Sequence, residues 1–406
     1  MRRVVITGMA GLSPIGCDWP SVAASLKAGC SGIRYIEEWD VFDGLLTRLG
    51  GPIPGFEKPA HYTRKEVRSM GRVALMATRA SELALIDAGL LDDPFLSSGE
   101  VGVAYGSSTG SPDAIADFLS MVNTHSTSGI NANTYLRMMG HTTAVNLGIF
   151  FKLRGRILTT SSACTSGSHG IGYAYEAVRD GLQTAMVAGG AEELSATEAA
   201  VFDTLFATST MNDRPHATPK PFDIDRDGLV VGEGAATFIL EERDHALARG
   251  ANIHAEIVGF GTNSDGSHVT QPNKDTMRIA MELAVKDRNV DPRQIGYVSA
   301  HGTATDRGDI AESHATAGLL GRVPISSLKS FTGHTLGACG ALEAWVTVNM
   351  LREGWYHPTI NLNNVDPACG DLDYIVDECR EIDTAMVMSN NFAFGGINTS
   401  LIFQRP

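Results

Sequence analysis

The sequence predicts an α/β protein on a mostly parallel or mixed sheet, built from two related halves at 1–250 and 251–406. Two observations predict it. Short β-rich apolar runs alternate with amphipathic helical stretches along the chain, the pattern of helices laid against a sheet. Four of these elements then recur in the same order after a join near Gly250.

The first pair is Arg3–Ala10 with Ala255–Gly261, each an apolar strand running into Gly. The second is Val101–Gly106 with Ile295–Gly302. In the third, Leu158–Cys164 and Pro324–Ser327 each lead into a helical stretch, ending at Asp180-Gly181 and Glu353-Gly354. The fourth is Ala185–Gly190 with Ala385–Asn390. Both helical stretches carry good helix formers, Ala174–Arg179 and Gly340–Leu351, and stop at Gly, the residue that closes a helix in the left-handed conformation.

A chain of 406 residues with a formal charge of −14 is large enough for two packed lobes and too acidic for a general nucleic-acid binder. The same charge argues against an anionic membrane surface as a partner. Apolar runs are interrupted by Gly and charge, so none reads as a membrane span. The start, Met1 to Gly8, reads as a buried strand and not a signal peptide, because it runs at once into the turn Gly11–Gly16. A cytoplasmic chain is expected. The six cysteines show no CxxC pair and no zinc spacing, so neither a disulfide framework nor a structural metal is expected.

Cys164 stands apart from the other five. It follows a β-type run and opens the Ser/Gly-rich segment Thr165–Gly170. A thiol at a helix N-terminus feels the positive end of the helix dipole, which favours the thiolate. Its free N–H could also stabilise an oxyanion in acyl transfer. A buried, inert cysteine at a packing point is the competing reading.

Two of the twelve histidines share this setting. His301 follows an apolar strand in Ser299–Thr305, and His334 lies in Lys329–Gly337. Loops at strand ends are where α/β sheets bind ligands, so the two could converge on one cleft. Neutral imidazole N–H groups there could bind a thioester carbonyl as it becomes an enolate, with Lys329 adding fixed positive charge. Near the C-terminus, Asn390–Asn398 carries Phe392, Phe394 and the pair Gly395-Gly396. The glycines permit positive φ and the aromatics suit an apolar gate; a plain turn between buried strands is the alternative.

Together these motifs resemble the β-ketoacyl-[acyl-carrier-protein] synthases of the elongating type, in the thiolase-like superfamily. The resemblance runs from Val4–Gly16 through Ser162-Ala163-Cys164, Ala188–Glu193, Pro221-Phe222-Asp223, Arg226-Asp227-Gly228 and Gly232-Glu233-Gly234. It continues through His301-Gly302-Thr303, Lys329-Ser330, Thr332-Gly333-His334 and Phe394-Gly395-Gly396. It implies a five-layer αβαβα fold of two duplicated halves and decarboxylative condensation without a cofactor. Cys164 would take the acyl group, and His301 and His334 would hold the malonyl thioester. Lys329 would polarise the site with Glu343 supporting it, and the amides of Cys164 and Phe394 would form the oxyanion hole. Thr303 and Thr305 match positions that bind the pantetheine arm. Phe392 belongs to the gate loop, and Thr109 falls where an apolar residue often lines the acyl pocket. Asp309 and Glu312 match the acidic positions after the His loop.

The implied partner is an acyl carrier protein bearing phosphopantetheine-linked acyl and malonyl groups. Lys65 and Arg68 match a patch that meets that acidic carrier, in a stretch that otherwise reads as a solvated helix face. A homodimer, or a heterodimer with a related subunit, is expected. Asp306, Leu328, Ala393 and Ile397 depart from the family pattern, as does Thr109. They leave open a specialised polyketide or aryl-polyene-type pathway, paired with a chain-length-factor subunit, as the alternative to fatty-acid elongation. A thiolase would need a second Cys in the C-terminal glycine loop, which has none. A chalcone-type enzyme would carry Asn where His334 stands, and a non-catalytic partner subunit would lack Cys164.

Overall fold

The computed structural model describes residues 1–406. Its main sheet has eleven strands. In chain order they are β1 (Val4–Leu12), β2 (Val101–Gly106), β3 (Ile157–Thr160), β4 (Ala185–Glu192), β5 (Gly234–Glu242), β6 (Ala255–Ser264), β7 (Ile295–Ser299), β8 (Pro324–Ser326), β9 (Asp373–Tyr374), β10 (Met386–Ala393) and β11 (Ile397–Gln404). Their order across the sheet is β9-β8-β7-β10-β11-β6-β1-β5-β4-β2-β3.

The sheet is mixed, and its pairing is symmetric about the β1/β6 seam. Outward from β1, β5 and then β4 pair antiparallel, followed by parallel β2 and β3. Outward from β6, β11 and then β10 pair antiparallel, followed by parallel β7 and β8. The four recurring sequence pairs therefore occupy corresponding sheet positions. A fifth pair, β5 and β11, shows no obvious likeness in sequence. The seam itself is short, with only Val4, Val5 and Ile6 facing Ile257, Glu256 and Ala255. A seam so brief lets the sheet fold into two leaves.

Helices fill both sides of each leaf. Among them are α1 (Arg72–Asp87), α2 (Ser166–Arg179), α3 (Ala196–Asp203), α4 (Lys274–Asp287), α5 (Asp306–Leu320), α6 (Lys329–Thr332) and α7 (Cys339–Glu353). Helix α1 covers β1 and β5 on one outer face, and α4 covers β6 and β11 on the other, with α5 against it. Between the leaves lie α2 and α7, which pack on each other. Every α7 residue from Cys339 to Leu351 is buried. A helix buried on every side has no solvent face, so it belongs in a central layer, and its one buried charge, Glu343, is met by Lys329. The result is the five-layer αβαβα arrangement. No helix is long and apolar enough to cross a membrane.

Glycine sets how closely α2 approaches β4. A Cβ on Gly190 would lie 2.5 Å from the Gly337 carbonyl and 2.7 Å from the Cα of Gly167. Any side chain there would push the N-terminus of α2, and the turn bearing Cys164, away from the sheet.

Candidate active site

Cys164 sits between β3 and α2 on a turn held by its hydroxyl neighbours. The Ser166 hydroxyl donates to the Ala163 carbonyl at 2.7 Å, the Thr165 hydroxyl donates to the Ser162 carbonyl at 2.7 Å, and the Ser162 amide donates to Ser166 Oγ at 2.9 Å. Ala163 takes φ +50°, a strained conformation for a residue with a Cβ. The hydroxyls hold that strain in place and project the Cys164 side chain to the strand ends.

There it meets both histidines. The Cys164 sulfur and one ring nitrogen from each of His301 and His334 all lie within 4.8 Å of one another. His334 Nε2 is 3.0 Å from Cys164 Sγ. The Leu336 amide donates to His334 Nδ1 at 3.2 Å, which leaves the neutral ring's proton on Nε2, facing the sulfur. Lys329 Nζ lies 3.1 Å from His301 Nδ1 and ion-pairs with Glu343. The ammonium can only donate, so His301 also carries its proton on Nε2. The rings stand edge to face with centroids 5.1 Å apart.

The electrostatics follow from burial. Desolvation, aided by the charge of Lys329, holds both histidines well below the usual range, so both are neutral. Burial opposes the Lys329 charge as well, but Glu343 more than compensates and its pKa lies above the ordinary value. The thiol departs from the sequence expectation. Burial pushes Cys164 up to about 11, although Lys329 and the amides of Phe394 and Cys164 itself pull the other way. The turn position does aim donors at the sulfur, but at 5% exposure the cost of dehydrating a thiolate outweighs them.

Two buried carboxylates fix the His301 loop. Glu312 on α5 accepts the His301 and Gly302 amides, both at 2.7 Å, and Asp309 accepts the Thr303 amide at 2.9 Å. Asn391 on β10 donates to Glu343 at 2.6 Å and lies 3.4 Å from His301 Nδ1. Cys339 donates to the Cys164 carbonyl at 3.2 Å, so the first residue of α7 touches the turn.

A cavity of about 520 Å³ opens over Cys164, His301 and His334, and Thr303, Thr305, Phe392 and Phe394 also line it. Phe392 packs edge-on to His301, with centroids 6.2 Å apart. Phe394 opens the turn Phe394–Gly396, where Gly395 and Gly396 take φ +86° and +68°. Two positive φ values in succession turn the Phe394 amide back toward the thiol.

Four residues singled out from sequence lie elsewhere. Glu343 does not line the cavity, because it is committed to Lys329. Thr109 is surface-exposed and donates to Glu198 at 2.9 Å. Lys65 and Arg68 are exposed but outside the cavity, and their stretch is a series of turns instead of a helix. Thr63 and Glu66 satisfy each other locally, as at a helix start, and the chain then enters α1 within a few residues. Sequence reading gave Phe202 no role at the site; its ring packs tilted by 42° against that of Phe394, with centroids 5.3 Å apart, and approaches His334 at 6.4 Å. It also passed over the Leu336 amide and Asn391. A backbone amide carries no sequence signal, and Asn391 could have been flagged only as a polar residue on an otherwise buried strand.

Comparison with known proteins finds relatives along the whole chain. The family model described as beta-ketoacyl synthase, N-terminal domain, matches residues 1–246, and the corresponding C-terminal domain matches residues 254–363. The chain is 40% identical to a 3-oxoacyl-[acyl-carrier-protein] synthase 2 from Vibrio cholerae, over 100% of this chain and 99% of that protein. Among solved structures, a beta-ketoacyl synthase from Burkholderia phymatum superposes with a TM-score of 0.99 at 61% identity, covering 100% of both chains. The ishigamide ketosynthase/chain length factor superposes with a TM-score of 0.91 at 31% identity, covering 100% of this chain and 99% of that one.

Proposed function

The chain belongs to the β-ketoacyl synthase family, and from that premise we propose that it is a 3-oxoacyl-[acyl-carrier-protein] synthase that extends acyl chains in fatty-acid synthesis. The observation that carries the proposal is one thiol, Cys164, facing two neutral imidazoles that both present N–H groups to the same cavity.

In the first half-reaction, Cys164 Sγ attacks the carrier's acyl thioester. The tetrahedral oxyanion is held by the amides of Cys164 and Phe394, the carrier thiol leaves with the proton that Cys164 gave up, and an acyl-enzyme remains. In the second, the Nε2–H groups of His301 and His334 bind the malonyl thioester carbonyl. They stabilise the enolate formed as CO2 departs, and its carbon attacks the acyl carbonyl. The Cys164 sulfur is expelled and takes up a proton, and the product is a 3-oxoacyl group on the carrier. Lys329 keeps the His301 proton on the cavity side, and its charge favours the developing enolate. Thr303 and Thr305, whose hydroxyls are bonded to each other at 2.8 Å, would contact the pantetheine arm.

The carrier is acidic, and Lys65 and Arg68 are proposed to meet it through local charge complementarity. A dimer, of two copies or with a related subunit, would cover the outer edge of β3, which pairs only with β2 and leaves Ile157 46% exposed. The division of the chain at 250/251 is likewise proposed, and the symmetric pairing on either side of the β1/β6 seam supports it. The reaction itself is tested by loading: one acyl group should be gained per chain, on Cys164, and then lost as CO2 is released when malonyl carrier is added.

A further inference from the structure

Helix α3 carries Phe202, which packs against Phe394 and His334, and the turn that closes the helix lies at the mouth of the cavity. The Ala207 amide donates to the Phe202 carbonyl at 3.0 Å and the Phe206 amide to the Asp203 carbonyl at 2.9 Å, the pairing that ends a helix on one left-handed residue. That residue is usually Gly, because a Cβ makes the conformation costly. Here it is Phe206, at φ +51°. Phe206 is also 84% exposed, so packing within the chain does little to offset the strain. An aromatic residue that is both strained and uncovered points to a role outside the fold.

Two further apolar residues share this rim. Leu205 is 47% exposed and Val269, from the other half of the chain, is 68% exposed; both line the cavity that leads to Cys164, as Phe206 does. The Val269 carbonyl accepts the Gly395 amide at 2.7 Å, so Val269 and the Phe202 helix meet the same turn, Phe394–Gly396. Exposed apolar side chains grouped at the edge of a pocket mark a surface that a partner covers. How the substrate arrives says which partner. An acyl group on a phosphopantetheine arm reaches Cys164 through this mouth only when the carrier's own surface comes down on the rim. Charge gives an acidic carrier little hold there. Carboxyl groups outnumber guanidinium groups among the lining residues, Arg226 is paired with Asp306, Asp309 and Asp366, and Arg307 directly follows the exposed Asp306.

Resting on the reading of Cys164 as the thiol that accepts the acyl group, we propose that Phe206, Leu205 and Val269 form an apolar docking rim for the carrier protein. They receive an apolar side chain that the carrier presents beside its arm. Charge steers the carrier through Lys65 and Arg68, and the rim then holds it at the mouth. Such a contact is insensitive to screening by salt.

The test compares octanoyl carrier with octanoyl-N-acetylcysteamine, a small thioester that has no carrier attached. The readout is the concentration that gives half the maximal rate of mass gain at Cys164. Phe206→Gly removes the ring and suits the left-handed turn, so its thermal midpoint should not fall. It should nevertheless raise the half-saturating concentration of octanoyl carrier about tenfold, and that of the small thioester less than about twofold. Val269→Ser should weaken carrier use in the same way, and Phe206→Leu, which stays apolar, should retain most of it. The defect of Phe206→Gly should persist at about 0.5 M salt, where surface charges are screened. Unchanged carrier use by Phe206→Gly and Val269→Ser would overturn the proposal. So would equal losses with both substrates, a defect that disappears in high salt, or a defect that appears only with a change in oligomeric mass, which would make a second copy the occupant. Failure of wild type to gain mass at Cys164 from either substrate would instead overturn the underlying reading, and the proposal with it.

Discussion

Lys329 and Glu343 form an ion pair sealed from solvent, each side chain being 2% exposed. The same ammonium reaches His301 Nδ1, so the pair joins the stability of the fold to the tautomer of the site. Removing one member strands the other's charge, and Lys329→Met or Glu343→Leu alone should cost about 3–5 kcal/mol in urea unfolding. The double variant should recover most of that loss while condensation stays lost, because His301 has no charged donor at Nδ1. A double variant no more stable than either single one would contradict this.

With its pKa near 11, the Cys164 thiol is protonated at neutral pH. Only the thiolate reacts with iodoacetamide, so its mapped alkylation rate should rise about tenfold per pH unit from roughly pH 7 to pH 10. A plateau below about pH 8 would show that the aimed donors outweigh burial after all.

Burial pushes Glu312 up to about 8 against the two amides that it accepts. A carboxyl raised above its unfolded value of 4.5 contributes most below that value, and the contribution is lost as pH rises through about 8. The stability of wild type relative to Glu312→Gln should therefore decline between about pH 4.5 and pH 8. Melting temperatures at matched pH check this, and a difference that grows with pH would refute it.

Charge reversal at Lys65 and Arg68 should raise KM for the carrier-bound acyl group roughly tenfold at low salt, and less as salt screens the contact. Turnover of a small acyl thioester should not change. Equal losses with both substrates would mean that the turns support the fold and not the carrier.

Much of the site was legible before the structure. Cys164 was marked by the strand and small residues around it, His301 by the strand before it, and the Phe394 loop by its paired glycines. These signals are local, and the fold carries them to one point through parallel strands that end together. Phe202 and Asn391 were not legible in the same way, because they reach the site only through contacts between distant segments. The direction of the Cys164 pKa was misread because a helix N-terminus shows in sequence and its burial does not. The Lys65 stretch has the composition of a helix start, but α1 begins too soon after it for a helix to form.

The central claim, that Cys164 is the nucleophile of acyl transfer, is tested most directly by intact-protein mass spectrometry after incubation with acyl-loaded carrier. The account predicts one acyl mass per chain, mapped to the Cys164 peptide, absent from a folded Cys164→Ala variant and discharged by malonyl carrier. Acylation that persists in Cys164→Ala, or that maps to Cys17 or Cys379, would contradict it.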